Sequence, residues 1–495
     1  MNKSNKILLA LSIVLLLILI ATYYLFLSKD HYVPDLFVRG DIEDVINLKE
    51  TSSFNQVKIE HKGKKIKVYK LEDVVNRALP LSEEYELVLS GNDGRRAVID
   101  GKQLNFSYLN YSSENGWEVI NFNHPISSNI KLLKNITVVD KKSDFFDSLT
   151  IITQSENIIK TTVGELLTGS YTKKPFLRGS STLNVDGQLY SVDVYSEKRV
   201  ISLADLVDRE ILGRTVIYNK KGETLIHRDG FLELTNNKIS YFNSESEEWL
   251  EDITGIVLDA PLTSNKDVFY DSLHYLEAGY KVLVVLLDGF GYHQYNYCLD
   301  EEIIPFMAEI ENSSQAITSY KPVTNTGLAA VLTGKGPQEN KIYSRDFKHI
   351  AVDDIFKKIS KMSLNSVYIE GNIKILNTSI EPILNPDLNQ NGITDDEIFK
   401  KTLKQMNGNA NFVFVHFHGI DDMGHTYGPY GEKTIEMITQ SDRYIQELAQ
   451  NWPGKIIITA DHGMHSILNG GDHGLVIYQD MFVPYLITDG GLKDE

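Results

Sequence analysis

Cysteine is almost absent: Cys298 is the single one in 495 residues. No internal disulfide can therefore form. Basic residues are scarce too, with 49 Lys and Arg against 67 Asp and Glu, a formal charge of -18. A nucleic-acid surface needs clustered Lys and Arg, so this balance argues against one. What is plentiful is apolar side chain, 42% of the chain. That is ample for a core, and the length exceeds one ordinary domain.

Residues 7–27, ILLALSIVLLLILIATYYLFL, are apolar and uncharged. The run is close to the ~20 residues that span a bilayer. Lys3 and Lys6 precede it, and Tyr23 and Tyr24 lie near its far end like an interfacial belt. No small-x-small cleavage site follows and there is no lipobox cysteine, so an uncleaved single-span anchor over 1–30 is expected rather than a signal peptide. The positive flank places the N-terminus in the cytoplasm and the rest of the chain outside, a single-pass cell-membrane protein.

Residues 31–255 are rich in Tyr, Asn, Ser and Lys. Short strand-like runs such as Tyr85–Ser90 and Arg214–Tyr218 alternate with turn signals such as Gly91-Asn-Asp-Gly94 and Asp186-Gly187. The region repeats. Lys70–Arg77 (KLEDVVNR) matches Ser202–Arg209 (SLADLVDR), and Ser112–Trp117 matches Ser244–Trp249, both offset by 132 positions. Two β-rich α+β modules, 31–145 and 146–255, are expected, each a short helix, a meander and a closing Trp. They read as a spacer. Exposed aromatics would allow cell-wall or carbohydrate contact.

From about 256 the pattern changes. Apolar runs Val282–Leu287, Ser366–Ile369, Phe412–His416 and Ile456–Thr459 alternate with helical stretches. That implies an α/β domain, a parallel sheet covered on both faces. Ligands in such sheets bind outside the carboxyl ends of the strands. Asp288, Asp421 and Asp461 each lie at or just past such an end.

These aspartates belong to four short segments. Asp288-Gly289 closes the first apolar run. Val323-Thr324-Asn325-Thr326 follows Pro322 and opens a helix, where backbone N–H groups favour an anion. Asp421 and His425 stand four apart before Gly428-Pro429, so both can face one cation on a helical turn. Asp422 competes with Asp421 for that role. Asp461-His462-Gly463 and Asp472-His473-Gly474 complete the set; Gly463 lets the chain turn so that both neighbours can ligate. Three Asp, three His and one Thr supply enough oxygen and imidazole for two divalent cations around one hydroxyl, the arrangement that clamps an in-line displacement at phosphorus.

With these motifs the segment from about 278 to 495 resembles the alkaline phosphatase superfamily, nearest to its type I phosphodiesterase/nucleotide pyrophosphatase branch. The resemblance implies a mostly parallel sheet sandwiched by helices. It implies one metal on Asp288, Thr324, Asp461 and His462, and a second on Asp421, His425 and His473. It makes Thr324 the nucleophile, forming a phosphorylated intermediate, and zinc the usual metal. The implied activity is a metal-dependent phosphodiesterase or phosphatase acting on a phosphate ester. A phospho-group transferase to an envelope acceptor and a non-catalytic surface binding protein are the alternatives.

The chain departs from the branch after the nucleophile. Asn325-Thr326-Gly327-Leu328 stands where nucleotide pyrophosphatases read Phe-Pro-Asn-His, which weakens nucleotide specificity. Sulfatases need Cys or Ser in a C/S-x-P-x-R context, whereas Cys298 sits in Tyr-Cys-Leu-Asp. Asp387–Glu397 resembles a calcium loop. Its register does not match an EF-hand after Gly392, and a capped helix start at Thr394 explains it as well.

Overall fold

The computed structural model describes residues 33–48, 54–141, 148–207, 213–228, 230–235, 237–243 and 248–491. The expected anchor at 1–30 lies outside the described residues. Among the described residues no helix is long and apolar enough to cross a membrane. The chain divides into two compact units, Met1–Lys142 and Ser143–Glu495.

The first unit holds a five-stranded sheet in the order Ile46–Asn47, Phe37–Gly40, Leu133–Asp140, Tyr85–Gly91, Arg96–Asp100. Phe37–Gly40 and Leu133–Asp140 run parallel, and the other pairs antiparallel. A four-stranded antiparallel sheet, beginning with the hairpin Gln56–His61 and Lys64–Lys70, accompanies it. Leu71, Val74 and Val75 of the helix Leu71–Arg77 are buried in this module's core. Trp117 closes that core, 2% exposed, with its indole N–H on the Pro34 carbonyl at 2.8 Å.

Residues 148–257 show the same plan. A five-stranded sheet runs Asn157–Thr162, Ser148–Ile152, Ile253–Val257, Thr215–Asn219, Thr224–His227. Again the second and third strands are parallel and the rest antiparallel. The counterpart of the 56–70 hairpin is much longer here, Thr172–Val185 against Gln188–Ser202. Trp249 does less than Trp117. It is only half-buried, under the Lys198 ammonium at 4.1 Å from its ring.

The expected boundary at 255/256 falls inside the second unit. Ile152, Val216, Tyr218 and Val257 share one apolar cluster with Ile317, Tyr320, Val476 and Phe482. Gly255 sits so close to Val476 that any side chain there would collide with it. The module and the α/β domain are therefore packed as one body.

The α/β domain is built on a seven-stranded sheet. Its order is Ser313–Ile317, Phe482–Asp489, Lys455–Thr459, Val282–Leu287, Phe412–Phe417, Ser366–Glu370, Ile383–Leu384. Only Phe482–Asp489 runs against its neighbours. Val282–Leu287 is central and every residue in it is fully buried. Each such side chain contributes roughly 1.5–3 kcal/mol by burial. Both faces are covered, which is why the run is continuously apolar rather than alternating. Helix Asp267–Glu277 packs with Thr324–Thr333 and Ile355–Lys361, and Asp395–Met406 with Glu432–Asn451.

Candidate metal centre

The three central strands end side by side, and the site forms beyond their carboxyl ends. Asp288 follows Leu287 directly and is 3% exposed. A carboxylate buried there costs several kcal/mol unless cations or donors compensate it. Its two oxygens face different ways. Oδ1 lies 3.5 Å from Thr324 Oγ1 and 3.3 Å from His462 Nε2. Oδ2 lies 3.0 Å from His418 Nδ1 and 3.5 Å from His416 Nε2. Gly289 has φ +73°, and a Cβ there would lie 2.8 Å from Asp421 Oδ1, so glycine is required for this approach.

Thr324 is the first residue of the helix Thr324–Thr333, with Val323 as its N-cap. Val323 has no side-chain group to cap this helix. The Thr324 hydroxyl points at His462 Nε2, 3.4 Å away. Asp461 and His462 follow the strand Lys455–Thr459, and both are fully buried. His462 Nε2 is 3.6 Å from Asp461 Oδ2. Helix Thr324–Thr333 lies directly against this segment: a Cβ on Gly327 would clash with the Asp461 carbonyl.

Asp421 and His425 share one face of the helix Gly419–Tyr427, with Asp421 Oδ2 3.3 Å from His425 Nε2. His473 comes from the loop after the small strand Gly470–Asp472, its Nε2 3.7 Å from Asp421 Oδ1. All seven residues expected from the sequence thus face one another across a single site. Asp288, Asp461 and His462 bring donor atoms within 4.8 Å of one another, and so do Asp421, His462 and His473.

The donor chemistry fits divalent cations. His462, His425 and His473 each direct Nδ1 at a backbone carbonyl, of Gly463, Gly471 and Pro322, at 2.9–3.0 Å. That hydrogen bond fixes the tautomer and leaves Nε2, with its lone pair, turned into the site. Asp421 Oδ1 and Asp461 Oδ2 are buried without a hydrogen-bond partner. Orphaned carboxylate oxygens are costly, and a cation would satisfy them. The charges agree. Burial and the charge of Asp288 push Asp461 up to about 7. Burial opposes a charge on His462, but Asp461 and Asp288 hold it up at about 10. Burial and His462 bring His473 down to about 3, so it stays neutral.

Several residues here were not anticipated. His416 is the penultimate residue of the strand Phe412–Phe417 and His418 follows that strand, a His-x-His pair visible in the sequence, of which His416 was read only as strand. Glu370, fully buried, ends the neighbouring strand Ser366–Glu370. It contacts His418 Nε2, and His416 Nδ1 at 3.3 Å. Asp395 accepts from the His418 and Gly419 backbone N–H groups at 2.9 and 3.0 Å, which ties the next helix to the site. Arg345 donates to His473 Nε2 at 2.6 Å. No sequence signal marks it. A cleft of about 740 Å³ opens over Asp288, Thr324 and Asp421, with Arg345, Lys348 and Asp422 on its walls. Burial lifts Asp422 to about 6.

Residues 280–494 match the family model described as the metalloenzyme superfamily. This segment is similar to that superfamily. The modules before it lie outside the match. The chain is 32% identical over 69 residues to the human "GPI ethanolamine phosphate transferase 3, catalytic subunit". The mouse counterpart matches equally. That stretch is 14% of this chain and 6% of the relative. Among solved structures, phosphonoacetate hydrolase from Sinorhizobium meliloti 1021 is similar at a TM-score of 0.32 and 16% identity, over 37% of this chain and 57% of that one. Murine ectonucleotide pyrophosphatase/phosphodiesterase 5 is similar at 0.31 and 18%, over 38% and 57%. Both structural likenesses are shallow.

Proposed function

We propose that the metalloenzyme domain is a phosphoric-ester hydrolase with Thr324 as nucleophile and two divalent cations, zinc by donor type. Asp288, Asp461, His462 and the Thr324 hydroxyl would hold one. Asp421, His425 and His473 would hold the other. The observation that carries this reading is Thr324: buried at a helix start and aimed between Asp288 and His462. When bound, the cations lower the pKa of the hydroxyl and stabilise charge developing on phosphorus-bound oxygens.

The chain's own residues do the rest. The N–H groups opening the helix Thr324–Thr333 would stabilise the phosphoryl oxygens. Arg345 and Lys348 on the cleft wall attract the anionic ester. Thr324 Oγ1 forms a bond to phosphorus as the ester oxygen leaves with a proton. Water then attacks the same phosphorus, and the bond to Oγ1 breaks.

The transferase reading is kept for one reason, the 69-residue match to the GPI ethanolamine phosphate transferase subunits. In that reading an alcohol replaces water in the second step. The apolar run at 7–27 supports a single-pass anchor with the enzyme outside the membrane. The shared strand order and senses of the two β-rich regions support an internal duplication. Full-length protein should be assayed for zinc and for cleavage of p-nitrophenyl phosphate and bis-p-nitrophenyl phosphate. Zinc with diester cleavage fits the phosphodiesterase, and monoester preference moves the reading to a phosphatase. Steady phosphate release without an acceptor counts against the transferase. Absence of bound metal ends the proposal.

A further inference from the structure

The hairpin of Thr172–Val185 and Gln188–Ser202 outgrows the module that bears it. Only Val200–Ser202, at its base, pair with a third strand, Phe231–Thr235. From Gly179 to Val194, among the described residues, the two strands have only each other. A lone two-stranded ribbon is marginal in water. The counterpart in the first module, Gln56–His61 with Lys64–Lys70, is much shorter and carries Lys58 and Glu60 on its outer strand.

The ribbon is two-sided. The cross-strand pairs Gly179–Val194, Ser181–Val192 and Leu183–Tyr190 project to one face. With Val185, that face exposes Leu183, Tyr190, Val192 and Val194, each between 46% and 64% accessible. The other face of the same stretch holds Ser180, Thr182, Asn184, Ser191 and Asp193, with Leu189 as its one large apolar residue. The apolar face continues a packed one. Phe176, paired with Ser196 on the same side, is buried against Phe231 and Phe242, with ring centroids 6.3 and 4.7 Å away. Beyond Val194 that cover stops.

Charge is divided along the ribbon. Residues 172–178 and 195–199 carry Lys173, Lys174, Arg178, Lys198 and Arg199 against one acid, Glu197. Residues 179–194 carry Asp186 and Asp193 and no cation. That acidic outer part disfavours an anionic lipid surface, which attracts Lys and Arg.

We propose that this apolar face packs on the same face of a second copy of the chain, the two ribbons stacked antiparallel about a two-fold axis. Stacked sheets bury their inner side chains between them. Antiparallel stacking sets the acidic outer part of each ribbon over the cationic base of the other, so the surface complements itself, as a two-fold contact requires. The five apolar side chains expose roughly 500 Å² per copy, so two copies reach about the 1,000 Å² that a specific interface needs.

The test is the mass of the full chain in a mild, density-matched non-ionic detergent, by sedimentation equilibrium. A dimer is expected. Leu183→Lys/Val192→Lys should raise its dissociation constant by at least about 100-fold, because it places like charges in the contact, with far-ultraviolet circular dichroism unchanged. Val192→Cys is the milder probe, near the middle of the apolar stripe. Cys298 is buried, so a short bis-maleimide should join two copies through residue 192 alone. If the double variant does not fold, this cross-link decides by itself. A wild type that stays monomeric overturns the proposal. So does a dimer that the double variant leaves intact and that gives no cross-link through Val192→Cys. A monomer that binds lipid vesicles, and loses them in the double variant, gives the face to lipid and overturns it as well.

Discussion

At the residue scale, the site depends on single atoms with no substitute. Thr324→Ala removes a hydroxyl aimed at both Asp288 and His462. Turnover should fall by at least about a thousandfold, since no other group takes the phosphoryl. Far-ultraviolet circular dichroism and the melting temperature should stay close to wild type. Retained activity would remove Thr324 from the mechanism. His293 gives a prediction on stability. Burial brings it down to about 4, with Nδ1 on the Tyr430 hydroxyl at 2.6 Å and Nε2 on the Met464 carbonyl at 2.8 Å. The folded value lies below the unfolded one of about 6.5. Its contribution is therefore complete above pH 6.5 and is lost as pH falls toward 4, up to about 3 kcal/mol. Urea midpoints of wild type and His293→Gln, measured at pH 7 and pH 4.5, should converge at the lower pH.

Among elements, the helix Thr324–Thr333 carries the proposed nucleophile and is buried along its whole length. It can lie against Asp461 because residue 327 has no side chain. Gly327→Ala should push the helix off the Asp461–His462 segment. Overpacking of this kind costs about 1–3 kcal/mol, and zinc affinity should fall with it. A denaturation midpoint and a chelator competition titration check both effects. If neither moves, the close approach is not what sets the distance from Thr324 to His462. The strand ends explain what the sequence did and did not reveal. Asp288, Asp421, Asp461, His462 and His473 were legible because Gly-flanked acids and histidines at strand ends are uncommon without a task. Glu370 was not legible, because it reads as the last residue of an ordinary apolar strand. Its meaning comes from lying next to Phe412–Phe417 in the sheet, 42 residues away at the nearest point.

For the whole molecule, the two compact units divide at 142/143, while residues 148–257 share a core with the enzyme domain. A chain starting at residue 143 should fold and bind zinc. A chain starting at 258 should not, because it exposes Ile317, Tyr320, Val476 and Phe482, whose partners Ile152, Val216 and Val257 are gone. Size-exclusion chromatography and zinc content of the two truncations decide this. If the shorter chain is monodisperse and metal-loaded, the second module is an accessory to the domain and not a part of its core. Zinc removal by a chelator should lower the melting temperature of the full chain, since a ligand that binds only the folded form stabilises it by mass action. An unchanged melting temperature in the chelator would mean that the orphaned carboxylate oxygens are not compensated by metal.

The sequence by itself determined the chemistry of this protein. Continuous apolar runs specified buried parallel strands, and the spacing of Asp, Thr and His pointed to a candidate cation site at their ends. The 132-position repeat pointed to two β-rich modules. Tertiary structure alone decided which groups share an atom. The two faces of Asp288, the Glu370 contacts to both imidazoles, Arg345 against His473 and the core joining Val257 to Val476 all link residues far apart in the chain. Period and spacing report what one segment presents to its surroundings. Which segment lies opposite is fixed by strand order, and strand order emerges only when the sheet is assembled.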